Sequence, residues 1–239
     1  MSKSIAVFGA GPALGRAVAH RYAQEGYTVV LVARRQESLD RLASDLATAG
    51  TTVQAITADL SDTAAIPSLA ARIRAAVGDL DAFYYGAAAD GFIPAVDLTP
   101  QRARELMPLG VYAPVALVQA FLPAMLARGD GAMLTAQGAS AVHGRPNLAG
   151  GLALAAQRNY LQSLRAEVAG KGVYIGALYI GAAIERSAFH ARREAAKAVG
   201  TPVPEMPTVD PAHLADLLWM MHSTRSQPEA TYPERPPGQ

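Results

Sequence analysis

The sequence predicts one doubly wound α/β domain, a parallel sheet with helices on both faces, and three observations carry that prediction. Short apolar runs rich in β-branched residues alternate with segments of helical period along most of the chain. The segments between those runs are long enough for the right-handed crossovers that parallel strands need. The first apolar run also passes through a glycine-rich turn straight into a helical segment. At 239 residues, 51% of them apolar, the chain suits one such unit with a large core.

Each element has a local cause. Residues 5–8 read Ile-Ala-Val-Phe, and a strand buried on both faces carries such a continuous apolar run. Over 13–24 the residues Leu14, Val18 and Tyr22 share one helical stripe, and Gly26 ends the helix. A valine-rich strand follows over 28–32, then a helix over 37–49 with Leu39, Leu42 and Leu46 facing inward and Gly50 beyond its end. A strand over 53–57 and a helix over 66–77, stopped by Gly78, close the first half. In the second half, strands at 82–85, 132–136 and 173–179 alternate with helical segments over 100–127 and 152–169. A last helix covers 211–222, and 230–232 reads as an edge strand. The stretch 185–210, with Pro202, Pro204 and Pro207, loses its period and is expected to cross the sheet edge as a substrate lid. The proline-rich tail 233–239 is expected to fray. One domain spans 1–239.

Composition excludes several classes. A net charge of +1 gives no basic field for nucleic acid or an acidic membrane surface. The chain has no cysteine, which removes disulfides, thiolate catalysis and cysteine metal sites. His20, His143, His190, His213 and His222 show no zinc-ligand spacing, so no metal is expected. There is no G-x-S-x-G elbow, and Ser140 has no evident base partner. The apolar run 110–127 contains Gln119, Pro114 and Pro123 and falls short of the ~20 residues of a membrane span. It is expected to be a helix buried on most sides, in the core or against another subunit. The apolar start, 5–11, is broken by glycines and ended by Pro12 and does not read as a signal peptide. A cytoplasmic protein with a small-molecule substrate, no membrane and no nucleic-acid partner is the expectation.

The strongest chemical signal is Gly9-Ala10-Gly11-Pro12-Ala13-Leu14-Gly15, between a strand and a helix. Glycine lets backbone approach a pyrophosphate, and the amides and dipole at a helix N-terminus stabilise its charge. Gly9, Gly11, Pro12, Leu14 and Gly15 are therefore candidate cofactor residues. At the end of the second strand, Val32-Ala33-Arg34-Arg35 has alanine where an acidic residue would take the ribose hydroxyls of NAD. Arg34 and Arg35 suit a 2′-phosphate instead, so NADP(H) is expected over NAD(H). Two solvated arginines at a strand end are the alternative. After the third strand, Asp59 of Ala58-Asp59-Leu60-Ser61-Asp62 is placed to accept from an adenine amino group, while Ser61 or Asp62 could simply cap a helix.

Together these residues resemble the short-chain dehydrogenase/reductase family over nearly the whole chain. Gly9 and Gly15 match its T-G-x-x-x-G-x-G pattern, with Phe8 for the threonine and Ala13 for the middle glycine; Asp59-Leu60 matches its adenine-side motif. Tyr179-Ile180-Gly181 is similar to the segment ending in its P-G motif, and Tyr85-Gly86-Ala87-Ala88 stands for its N-N-A-G turn. The resemblance implies a Rossmann fold, cofactor contacts at Leu60, Gly86, Ala87, Gly181 and Ile184, and a homodimer or homotetramer built on the helices around 110–127 and 152–169.

The family's catalytic asparagine, serine, tyrosine and lysine have no counterparts. Aligned on Ser163-Leu164-Arg165-Ala166-Glu167, those positions fall on Gly110, Gln137, Gly150 and Leu154. Tyr160 is followed four residues later by Leu164, and neither Lys171 nor Lys197 follows a tyrosine at that spacing. Three readings stay open. A reductase could act on an iminium or conjugated alkene that needs no side-chain acid, or use a relocated donor among His143, Tyr85 and Gln137. The protein could instead bind the cofactor without turnover, as a sensor or partner subunit. The pocket could also serve a non-redox cyclisation or isomerisation. Tyr85, Tyr112, His143 and Tyr179 would line a pocket for a flat or hydrophobic molecule.

Overall fold

The computed structural model describes residues 2–89 and 91–234, and within them the alternation is realised in order. The strands are β1 (Ser4–Phe8), β2 (Thr28–Ala33), β3 (Val53–Thr57), β4 (Ala82–Tyr85), β5 (Gly131–Gly138), β6 (Val173–Ile180), β7 (Ala183–Ile184), β8 (Thr208–Val209) and β9 (Glu229–Tyr232). The helices are α1 (Leu14–Gln24), α2 (Gln36–Thr48), α3 (Ile66–Val77), α4 (Pro100–Met107), α5 (Ala113–Arg128), α6 (Gly151–Glu167), α7 (Ala188–Ala198) and α8 (Pro211–Thr224). Seven strands form one sheet in the order β3-β2-β1-β4-β5-β6-β9, every neighbouring pair parallel. Residues 230–232 do form an edge strand, extended by Glu229.

Parallel strands need cover on both faces, and the two-residue alternation sorts the side chains accordingly. Val7, Tyr84, Leu134 and Leu178 pack with α1, α2 and α8 on one face. Phe8, Phe83, Tyr85 and Met133 pack with α3, α5 and α6 on the other. There Phe8, Phe83 and Phe121 form an aromatic cluster, with ring centroids 5.8 to 6.1 Å apart. The edge strand is tied down by charge: Glu229 accepts from Arg158, Gln162 and Tyr179, linking β9 to α6 and β6.

Two elements differ from the expectation. The 100–127 region is broken into α4, a π-helical turn over Pro108–Tyr112, and α5. Pro114 has no N–H to give the Gly110 carbonyl, and the Gln157 amide donates to that oxygen instead, at 2.8 Å. The region is also not buried on most sides. Ala113, Leu117, Phe121 and Met125 face the core, while Gln119, Pro123 and Ala127 are exposed. Counted with α4, the helical run Pro100–Arg128 reaches 29 residues and is long and apolar enough to cross a membrane by length and composition alone. Its inward stripe is part of the sheet-covering core.

The 185–210 stretch is an excursion with a pinned base. It carries α7, and β7 pairs with β8 where the chain leaves and returns. Of the tail expected to fray, 235–239 lies outside the described residues.

On the opposite face, His222 of α8 packs against α1 with its Nδ1 2.8 Å from Tyr22 Oη, and Tyr27 and Trp219 enclose the pair. Burial holds the imidazole down at about 4, against an ordinary 6.5, because the interior does not solvate its cation. The unfolded chain therefore takes up this proton before the folded one does. Stability from the neutral ring is full above pH 6.5 and is lost as the pH falls to about 4. Denaturation measured over that range should show a slope worth up to about 3 kcal/mol. The Tyr22→Phe/His222→Phe variant should flatten it; an unchanged slope would acquit His222.

Candidate active site

β1 and β4 are neighbours whose connections leave on opposite faces of the sheet, and such a switch point opens a crevice at the carboxyl ends of the strands. Here it holds a cleft of about 490 Å³. One flank is the glycine turn after β1; the others are the ends of β4, β5 and β6, the start of α6, and the segment leading into α7.

The turn is shaped by two missing side chains. Gly9 has φ +94°, and a Cβ there would stand 2.9 Å from the Ala87 nitrogen and 3.0 Å from the Gly86 carbonyl carbon. A Cβ on Gly15 would drive into the Gly9 carbonyl oxygen. The turn is closed by the Gly11 N–H, which donates to the Gly9 carbonyl at 2.7 Å. No side chain caps α1, and Ala13, Leu14 and Gly15 at its start line the cleft with Gly9, Gly11 and Pro12. The positive end of the helix dipole thus opens on the cavity.

Arg35 precedes α2 and lines the cleft, while Arg34 beside it is exposed and lies outside the lining. Neither guanidinium has a hydrogen bond or ion pair among the described residues, although Arg34 and Asp59 attract each other. Asp59 Oδ1 accepts from the Ser61 hydroxyl at 2.7 Å and from its N–H at 2.9 Å. Those bonds hold the Asp59 carboxyl below its ordinary range. The capping alternative fails for Asp62, whose side chain makes no cap bond. Asp59 and Leu60 do not line the cavity, whereas Gly86, Gly181 and Ile184 do. Ala87 lies behind Gly9, and Ala88 and Ala89 form the surface in its place.

The proposed proton donors separate. Tyr85 is 2% exposed, faces α5, and donates its hydroxyl to the Leu109 carbonyl at 2.6 Å in the π-helical turn. Burial pushes that hydroxyl well above its ordinary range. It is a packing residue, and strand alternation is the reason: its neighbour Tyr84 points the other way and lines the cleft beneath Gly86. His143 is exposed on the β5–α6 connection and is not among the described lining residues. Tyr112 is exposed on the π-helical turn, and Tyr179 is buried with its hydroxyl on Glu229, so neither lines the cavity. Gln137 does. It is 6% exposed, and both Oε1 and Nε2 lack partners among the described residues. Ser140, Arg145 and Ser187 line the same space. Their types carried no sequence pattern, which is why none was singled out as a site residue.

The four positions where the resemblance places catalytic residues are all in the cleft wall: Gly110, Gln137, Gly150 and Leu154. Two of them admit no side chain. A Cβ on Gly150 would overlap Gly91, whose carbonyl accepts the Gly150 N–H at 3.1 Å, and a Cβ on Gly110 would meet that of Ala153 at 2.6 Å. A Cβ on Gly151 would stand 2.7 Å from the Ser140 carbonyl oxygen. The loop after β4 is thus laid backbone-on-backbone across the start of α6, and the Ala149 N–H completes the seam at the Ile93 carbonyl.

The sequence profile described as short chain dehydrogenase matches residues 3–195, and the chain belongs to that family. It is 31% identical over 184 residues to the 1-deoxy-11-beta-hydroxypentalenate dehydrogenase of Streptomyces exfoliatus, covering 75% of this chain and 67% of that protein. A short-chain dehydrogenase structure from Streptomyces avermitilis superposes with a TM-score of 0.81 at 25% identity, over 96% of this chain and 87% of the other. An NADPH-bound short chain oxidoreductase from Pseudomonas aeruginosa PAO1, described as containing an atypical catalytic center, superposes with a TM-score of 0.82 at 21% identity, over 98% and 97%.

Restoring the family's tyrosine should therefore fail here. Gly150→Tyr should lower stability by about 1–3 kcal/mol, as overpacking does, measurable by chemical denaturation. A Gly150→Tyr protein as stable as the parent would show that the Gly91 seam yields.

Proposed function

We propose that the protein is an NADP(H)-dependent oxidoreductase that moves hydride to or from a small organic substrate without a tyrosine–lysine acid. The observation that carries this is the cradle: an uncapped helix start, a turn in which Gly9 and Gly15 leave no room for a Cβ, and two uncommitted arginines at the end of β2. These residues fit a dinucleotide with a phosphorylated ribose. The NADPH in the Pseudomonas aeruginosa structure and the dehydrogenase activity named for the Streptomyces exfoliatus relative support the same reading.

In this reading the first turn of α1 holds the pyrophosphate, Arg34 and Arg35 the 2′-phosphate, and Asp59 the adenine edge. Gly86, Ala87, Gly181 and Ile184 flank the chain of the cofactor, Ala87 through the packing that sets Gly9. Bound there, the nicotinamide supplies or accepts hydride. Gln137 presents a carboxamide to the substrate, donating to an oxygen or accepting from an N–H. Leu154, at the lysine position, brings no cation. A substrate that needs no side-chain acid suits this wall: an iminium, which hydride alone converts to an amine, or a conjugated alkene, which gains hydride at carbon and takes its proton from water. His143 and Tyr85 have no part in it. Binding without turnover is a second reading, favoured by the Gly91–Gly150 seam where an acid would stand.

Calorimetric titration of the protein with NADPH and NADH tests the proposal. NADPH should bind more tightly, and Arg34→Glu/Arg35→Glu should weaken it at least about tenfold while changing NADH little. Equal losses for both, or no binding of either, would sink it. Loss of the absorbance of bound NADPH on adding enones or imines separates turnover from mere binding.

A cytoplasmic home and pairing of two or four chains through α5 and α6 belong to the same proposal. The basis for pairing is the open side of α5 at Pro123 and Ala127, with Tyr112 beside it 53% exposed and Leu152 of α6 45% exposed. Light scattering should report a dimer or tetramer; a monomer would leave that face to something else.

A further inference from the structure

We propose that the substrate of this cleft carries a carboxylate on a compact apolar body, and that Arg145 is the residue that reads it. The inference rests on the proposed function, in which the Arg35 end of the cleft is taken by the cofactor.

Charge in the cleft is sparse and of one sign. Among its described lining residues only Arg35 and Arg145 are charged, and none is acidic. The chain has 20 acidic residues, and ten other arginines find a carboxylate. Arg145 does not: it has no hydrogen bond or ion pair of its side chain among the described residues. Arg145 is an exposed guanidinium on the cleft rim without a counter-charge, a place for an anion, and its planar fork suits a carboxylate best.

Arg145 is also held on a braced rim. Its carbonyl accepts the Leu148 N–H at 3.2 Å, Asn147 turns with φ +59°, and the next two amides are bonded to the Ile93 and Gly91 carbonyls. The backbone that bears the charge is therefore fixed, which lowers the ordering cost of using it.

The rest of the wall says what the anion is attached to. Phe92 and Phe189 stack 4.5 Å apart at 12° across the cleft mouth, and Leu148 and Leu154 continue the apolar lining. At the floor stands Gln137, 6% exposed and unpartnered at both polar atoms among the described residues. A buried unpaired amide is costly. It is satisfied by a neutral oxygen or nitrogen function on the same substrate. The recognition pattern is then an anionic end at Arg145, an apolar body, and a neutral reacting group at Gln137.

Titration calorimetry with octanoate, decanoate and 4-oxocyclohexanecarboxylate, each against its methyl ester, tests this with and without NADPH present. The expected result is at least about tenfold tighter binding of a carboxylate than of its ester. Arg145→Gln should abolish that preference, leaving NADPH affinity and ester binding unchanged, and Arg145→Lys should keep part of it. Esters binding as well as acids, a preference that survives Arg145→Gln, or no acid binding at all overturns the inference. The NADPH titration of the same samples reads the proposed function separately. Retained NADPH binding with no carboxylate preference removes only Arg145's role, whereas absent NADPH binding removes the oxidoreductase reading.

Discussion

At the carboxyl end of β1 the chain packs backbone on backbone, and much of the cleft follows from that approach. Gly9 rests on the peptide between Gly86 and Ala87, and Gly15 rests on the carbonyl of Gly9. A single Cβ at either place would push β1 and β4 apart or tilt α1 away from the sheet. With both absent, the helix start lies against the strand ends and its amides face the cavity. The neighbouring strands set the rest of the geometry: β2 leads into Arg34 and Arg35, β5 ends at Gln137 and Gly138, and β6 leads into Gly181.

A second close approach governs the other half of the cleft. Gly91 lies on Gly150, with hydrogen bonds from Gly150 and Ala149 closing the seam. The space that a large side chain at the start of α6 would occupy is taken by another stretch of main chain. Nearby, Pro114 frees the Gly110 carbonyl and Gln157 takes it, which stabilises the π-helical turn without any charged group. The wall that results is mostly apolar, with one buried carboxamide and the single charge of Arg145 at its rim. A wall with no tyrosine–lysine pair at the start of α6 favours chemistry in which the enzyme positions the reactants and the proton comes from elsewhere.

The elements were legible where local pattern and tertiary packing agree. β1, β3, β4 and α3 are carried by short-range signals: apolar runs, one helical stripe, and the glycine after α3. The glycine turn was legible for the same reason, since its physics is local. Tyr85 was misread because the residue type is the same at 84 and 85, and only the pairing of β4 between β1 and β5 decides which ring faces the cleft. His143 was misread because a loop's path is set by what it packs against. Here the bonds from the β5–α6 loop to the loop following β4 hold Arg145 and Leu148 to the cavity instead. The break in the 100–127 helix was not read from the sequence: Pro114 removes one donor locally, but the form of the turn depended on Gln157, 43 residues after Pro114 by the numbering.

By itself the sequence determined the alternation of the sheet strands with their covering helices, the glycines of the first turn, and the replacement of an acidic residue by Ala33 and Arg34 at the end of β2. Those are properties of single residues and of short windows, where backbone sterics and hydrophobic period act without a partner. Only the tertiary structure decided that Tyr84 and not Tyr85 meets the cleft, that Gly150 is sealed by Gly91, and that Gln137 and Arg145 stand unpaired among the described residues around one cavity. Each depends on segments far apart in the chain coming within contact distance, and whether a polar group is left without a partner is settled only once every neighbour is in place.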